Sequence, residues 1–168
     1  MRIVKNALLA ALGLVLILPV FAGDLPSRGM TPGGTHPRIT QANIQQTVCV
    51  TGYTKTVRPS VYYTNQLKRL QIMQYGYWDK NPQHYEEDHL IALSIGGHPT
   101  DARNLWPEPR DSKWGAEKKD QLESVLHRLV CRGEVQLATA QYEMATDWIT
   151  AWKKYVPSHQ SDLYGHVD

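Results

Sequence analysis

The chain of 168 residues holds only two cysteines, Cys49 and Cys131, too few for a structural zinc site, and no histidine stands at finger spacing from either. An excess of one charge is also missing. Of the 18 Lys and Arg, Arg2 and Lys5 fall in the first 22 residues, which contain no acid, so the rest of the chain carries 16 bases against 16 acids. That balance excludes a protein that coats nucleic acid through bulk charge, and any phosphate affinity must come from a local cluster. No apolar run is comfortable as a membrane span: Ala7 to Val20 falls short of the roughly 20 residues needed. There is no G-x-S-x-G elbow, no glycine-rich phosphate loop, no internal repeat and no low-complexity tract.

The start of the chain reads as an export signal. Arg2 and Lys5 form a basic n-region, Ala7 to Val20 an uncharged apolar run, and Val20-Phe21-Ala22 a signal-peptidase site. Residues 1–22 are expected to be a signal peptide, with an uncleaved anchor as the alternative. Removing those 22 of the 168 residues leaves 146, one domain's worth, in a periplasmic or secreted protein with no membrane attachment after cleavage, expected to be a monomer. Exported cysteines normally oxidise, so a Cys49–Cys131 disulfide is expected, two independent thiols being the alternative. Closing so long a loop would stabilise the fold by roughly 4–5 kcal/mol before strain.

Punctuation divides the chain into a flexible leader at residues 23–40, one domain at 41–157 and a polar tail at 158–168. Thr47 to Val57 alternates β-branched and polar residues and predicts a strand or a short hairpin about Gly52. Tyr62 to Tyr75 predicts a helix stopped by Gly76, with Leu67, Leu70, Met73 and Gln74 on one face and Lys68 and Arg69 on the wet one. Tyr85 to Leu93 and Arg103 to Trp106 predict two strands. A helix should start near Ser112 to Ala116 and reach Val130, and a last one should span Leu137 to Tyr155. Trp114, Trp148 and Trp152 read as core or cover residues. The class is α+β with a small antiparallel sheet.

The chemistry concentrates between Tyr85 and Glu123. An acid adjoins a histidine (Asp88, His89), a Gly96-Gly97 turn follows, Asn104-Leu105 come fifteen residues after the histidine, and a helical segment closes the stretch. This order resembles the HNH, or His-Me finger, nucleases, in which a β-hairpin and a helix grip one divalent metal. A wider resemblance is to small exported bacterial proteins with a C-x-x-G-Y-T-x-x-V-R-P stretch (Cys49 to Pro59), D-H-L-I-x-L-x-x-G-G, N-L-W-P (Asn104 to Pro107), K-D-x-L-E (Lys119 to Glu123) and a V-C pair (Val130-Cys131). Ala92 departs from it, the pattern often having proline there.

The resemblance implies a ββα-metal core with additional packing helices. Asp88 would bind the metal, His89 would activate water and Asn104 would brace the hairpin. Chemically, a neutral histidine can take a proton from water, and a divalent ion on Asp88 can relieve phosphate charge. Magnesium, which keeps several waters, is the expected ion, with manganese, zinc or calcium as alternatives. The family's third metal position falls on Lys113, which cannot ligate; Glu117, one turn later, is the expected substitute, ahead of Asp111 and Ser112. Adjacent residues on a regular strand face opposite sides, so Asp88 and His89 can share an ion only at a strand end or irregularity. Glu86 or Glu87 is otherwise a substitute acid or a strand-edge charge.

Arg103, Arg110, Lys113, Lys118 and Lys119 form a basic cluster that either grips phosphates or pairs with the interleaved Glu108, Asp111, Glu117 and Asp120. His98, in the turn, is a secondary candidate for phosphate contact, and His127 reads as a packing or surface residue. Two functions are therefore expected in order: an exported metal-dependent endonuclease of little sequence preference acting on nucleic acid, DNA before RNA, and a catalytically degenerate ββα scaffold that binds an envelope polymer or protein.

Overall fold

The computed structural model describes residues 23–163. The proposed signal peptide and the last five residues lie outside them. The described chain is α+β: α1 (Tyr53–Val57), α2 (Val61–Gln74), β1 (Tyr85–His89), β2 (Leu105–Pro109), α3 (Ala116–Cys131) and α4 (Leu137–Tyr155), joined by short 3-10 turns.

β1 and β2 pair antiparallel, with Asp88 opposite Trp106 and His89 opposite Leu105. Two strands are marginal in water on their own, and α2 packs against this pair. α2 reaches it through Lys68 Nζ, which donates to the Tyr85 carbonyl at 3.1 Å, and Gln71 Nε2, which donates to the Leu105 carbonyl at 2.9 Å. α3 reaches the other face through Lys119. β2 runs later than the expected Arg103 to Trp106 and contains both Pro107 and Pro109. Both strands of a two-stranded sheet are edges, where proline is tolerated.

Helix periodicity carries over into packing for α3 and α4. Leu122, Val125, Leu126, Leu129 and Val130 of α3 are buried, as are Leu137, Ala140, Met144, Trp148, Ala151 and Tyr155 of α4. The backbone of α4 leaves helical geometry at Asp147, whose carboxylate caps the continuation by accepting from Thr150 N at 3.0 Å and Thr150 Oγ1 at 2.8 Å. Trp114 meets Trp152 edge-on at 5.3 Å, so the tryptophans are core and cover.

Three expectations are corrected. Thr47 to Val57 is not a strand: it is a turn followed by α1, entered through Gly52 at φ 80°. Its alternation serves instead to bury Val48 beside the Cys49–Cys131 disulfide, whose Cα atoms stand 5.6 Å apart. On α2 the packed residues are Gln71 and Ile72, while Leu70 is 54% and Met73 63% exposed. A glutamine can occupy the packed face because backbone carbonyls of Ala102 and Leu105 accept from its amide. Lys68 belongs to that face too, and burial lowers its affinity for a proton.

The expected flexible leader is laid along the hairpin loop. Thr31, 1% exposed, shares a hydrogen bond with the Tyr75 hydroxyl at 2.6 Å and donates to the Leu105 carbonyl at 3.1 Å. Gly33 N donates to the Arg103 carbonyl at 3.0 Å, His36 N to the Gly96 carbonyl at 2.8 Å, and His98 N to the Gly34 carbonyl at 2.8 Å. In the tail, residues 160–163 form a 3-10 turn and Leu163 packs against the core.

Candidate active site

β1 ends at His89, and the chain then turns through Leu90 to Gly97. Ending the strand there breaks the alternation that would separate neighbouring side chains. Asp88 and His89 accordingly both line one open cavity of about 310 Å³, bounded by Val48 to Arg58 on one side and by α3 on the other.

The turn is held by glycine and by Asn104. A Cβ on Gly97 would stand 1.8 Å from the Ile91 carbonyl oxygen, so no larger residue fits this close approach. Gly96 supplies the positive φ, 77°. Asn104, fully buried, accepts from Ile91 N at 2.9 Å and Gly34 N at 3.2 Å through Oδ1. Its Nδ2 donates to the carbonyls of Ile91 at 3.0 Å and His98 at 3.1 Å. One amide thereby ties both arms of the loop and the leader together.

His89 is 4% exposed, and its Nε2 lies 2.9 Å from the Pro99 carbonyl. A carbonyl only accepts, so Nε2 carries the hydrogen and Nδ1 keeps the lone pair of a neutral imidazole. Burial outweighs the Asp88 charge and the Pro99 bond and holds the ring below the usual histidine range. His89 is therefore held as a neutral imidazole.

Asp88 stands in a buried charge cluster. The ammonium of Lys119 lies 2.5 Å from Asp88 Oδ2 and also pairs with Glu123, one turn further along α3. Burial alone would raise the Asp88 carboxyl, but Lys119 outweighs it and holds the group below the ordinary carboxylate range. No N–H or O–H donor of the described residues reaches Glu108, whose carboxyl is pushed well up by burial. It pairs with Asp88 as the acid, its O–H donating to the carboxylate. Burial and the neighbouring acids raise Asp120 to about 6 and Glu123 to about 7, against the pull of Lys119.

The expected site residues therefore divide. Asp88 and His89 line one cavity; Asn104 does not line it and instead ties the loop beyond the strand end. Glu117 is exposed and does not line the cavity; Asp120 and Glu123 do. Lys119 is fully buried in the cluster and is not a surface cation. Arg103 is closed on Asp101 at 2.8 Å, Arg110 on Glu86 at 2.8 Å, and Lys118 lies 4.8 Å over the Trp152 ring; none of them, nor exposed Lys113, lines the cavity. His98 Nδ1 accepts from Asp101 N at 2.9 Å and is used inside the turn. Sequence reading missed Asp120, Glu123, Ser124 and His127. These lie at i, i+3, i+4 and i+7 on α3, and that periodicity was the signal available.

A hard divalent ion needs ionised oxygen donors, and Asp88 meets that requirement. Glu123 faces the same cavity but shares Lys119, so an ion there would take most of its ligands from water, as magnesium does. On the same cavity, Cys49 and His127, with Cys131, bring ligand-type atoms within 4.8 Å of one another, a group that could hold a metal ion. Here the two sulfurs are joined to each other and offer no thiolate.

No protein-family model matches this chain, and no curated protein or solved structure matches it either.

Proposed function

We propose that this domain is an exported, metal-dependent endonuclease of the HNH type that hydrolyses nucleic-acid phosphodiester bonds with little sequence preference. The observation that carries this reading is the joint presentation of Asp88 and His89 to one cavity, with the His89 tautomer fixed by Pro99. His89 Nδ1 would take a proton from water as it attacks phosphorus, which its depressed proton affinity allows at neutral pH. Pro99 holds the ring in place throughout, and Asn104 holds the loop that carries Pro99. A magnesium ion on Asp88 would supply charge relief at the phosphate and at the departing oxygen. Among the described residues no element resembles a base-reading helix, in keeping with little sequence preference. The disulfide and the expected signal peptide fit a periplasmic or secreted setting, with DNA the leading substrate.

A second reading, a non-catalytic scaffold for an envelope polymer or protein, draws on one observation: Lys119 already neutralises Asp88 and Glu123. Plasmid nicking separates the two. The wild type should nick with magnesium, and neither the EDTA-treated protein nor His89→Ala should. Equal inactivity of wild type and His89→Ala at low salt would favour the scaffold.

A further inference from the structure

The cavity has two walls of unlike charge. α3 and the strand end supply Asp88, Asp120 and Glu123. The Val48 to Arg58 segment supplies a guanidinium, and Arg58 is the only Lys or Arg on the lining. Among the described residues Arg58 enters no ion pair, whereas Arg103, Arg110 and Lys119 are each closed on a carboxylate. Its position is fixed while its side chain is exposed: the Arg58 backbone N–H caps α1 on the Thr54 carbonyl at 2.9 Å, and Pro59 follows. Its charge is felt at both His89 and Asp120. A phosphodiester entering so acidic a cavity needs a cation opposite the base, and a guanidinium can fork across two phosphate oxygens.

We infer that Arg58 is the group that anchors the substrate phosphodiester facing His89, on a cavity wall whose place is set by the Cys49–Cys131 disulfide. The inference rests on the phosphodiesterase reading above. The wall has no sheet to hold it. It is tied to α3 by the disulfide, by His127 Nε2 donating to the Val48 carbonyl at 2.9 Å and by Gln45 Nε2 donating to the Cys131 carbonyl at 2.9 Å. All three ties lie at the Cys49 end of the segment that carries Arg58.

The test uses the oxidised full chain, magnesium and a short fluorescent DNA duplex. Arg58→Ala should raise KM about tenfold or more, with kcat changed far less, as expected for loss of a charge-assisted bidentate contact. The slope of log KM against log salt should fall by about one. Arg58→Lys should restore part of the loss, and Arg69→Ala, on the exposed face of α2, should change nothing. The same duplex should bind the His89→Ala protein about tenfold or more tightly than it binds His89→Ala carrying Arg58→Ala. Cleavage by the wild type with unchanged KM and salt slope in Arg58→Ala overturns the anchor and leaves the nuclease standing. Absence of cleavage with duplex affinity still lowered by Arg58→Ala overturns the nuclease and leaves the anchor as a nucleic-acid-binding site. Neither cleavage nor an affinity change overturns both.

Discussion

Asn104 and Ile91 are joined in both directions, Oδ1 accepting the Ile91 N–H at 2.9 Å and Nδ2 donating to the Ile91 carbonyl at 3.0 Å. A side-chain amide thus replaces a strand partner where the hairpin ladder has stopped. Asn104→Ala would leave the Ile91 and Gly34 N–H groups unpaired in a dry site, and should cost roughly 2–4 kcal/mol. Urea unfolding measures that cost. Well below the melting temperature, nicking should still fall by more than the loss of folded protein explains, because the Pro99 carbonyl no longer fixes His89; nicking that simply tracks the folded fraction would contradict the brace.

His89→Ala should lower the nicking rate by about 10²–10⁴-fold, the range for a positioned general base, with the far-ultraviolet circular dichroism unchanged. A loss under threefold in a folded variant would remove His89 from the chemistry.

Removing Lys119 leaves Asp88 and Glu123 facing each other without a counter-ion. Lys119→Ala should destabilise the protein by about 3–5 kcal/mol at neutral pH, the cost of breaking a buried ion pair from one side. Calorimetry at pH 7 reports it as a drop in melting temperature. A shift of only a degree or two would show that water already reaches the pair.

Magnesium at millimolar concentration should raise the melting temperature of the wild type and leave that of Asp88→Ala unmoved, each compared with its own EDTA control. Equal shifts in both proteins would place the ion elsewhere.

Stability should depend on pH through Glu87. Both its oxygens are buried without a hydrogen-bond partner, and burial, against Lys68, pushes the carboxyl from 4.5 to about 8. Between those values the folded protein holds a proton that the unfolded chain has released, so stability falls as pH rises. The Glu87 contribution is fully present below 4.5 and lost by about 8, at no more than about 1.4 kcal/mol per unit. Urea midpoints at mildly acidic, neutral and mildly alkaline pH, in EDTA, should slope downward in the wild type and more shallowly in Glu87→Gln. Equal slopes would show that Glu87 is hydrated.

The sequence carried much of this architecture where periodicity was long. α4 has the bounds that its stripe of Leu137, Ala140 and Met144 implies, and α3 starts and ends within a residue or two of expectation. The Asp88-His89 pair and Asn104 were legible as a spacing. What escaped was whatever depends on distant chain. No local pattern shows that Val48 needs burial next to a cross-link, that Gln71 has carbonyls waiting for it, or that Lys119 points inward. Lys119 looked like exposed Lys113 because Asp88, the partner that draws it inward, comes from the hairpin. Arg58 stood in the V-R-P stretch without a role, because only the tertiary fold brings it to the cavity at the end of β1.

The docking of Gly33 and Gly34 onto Arg103 and Asn104 makes the polypeptide ahead of the first helical turn a fastener. A recombinant version begun at Gln41 would lack it and, on the endonuclease reading, should lose nicking although every residue that lines the cavity is still present.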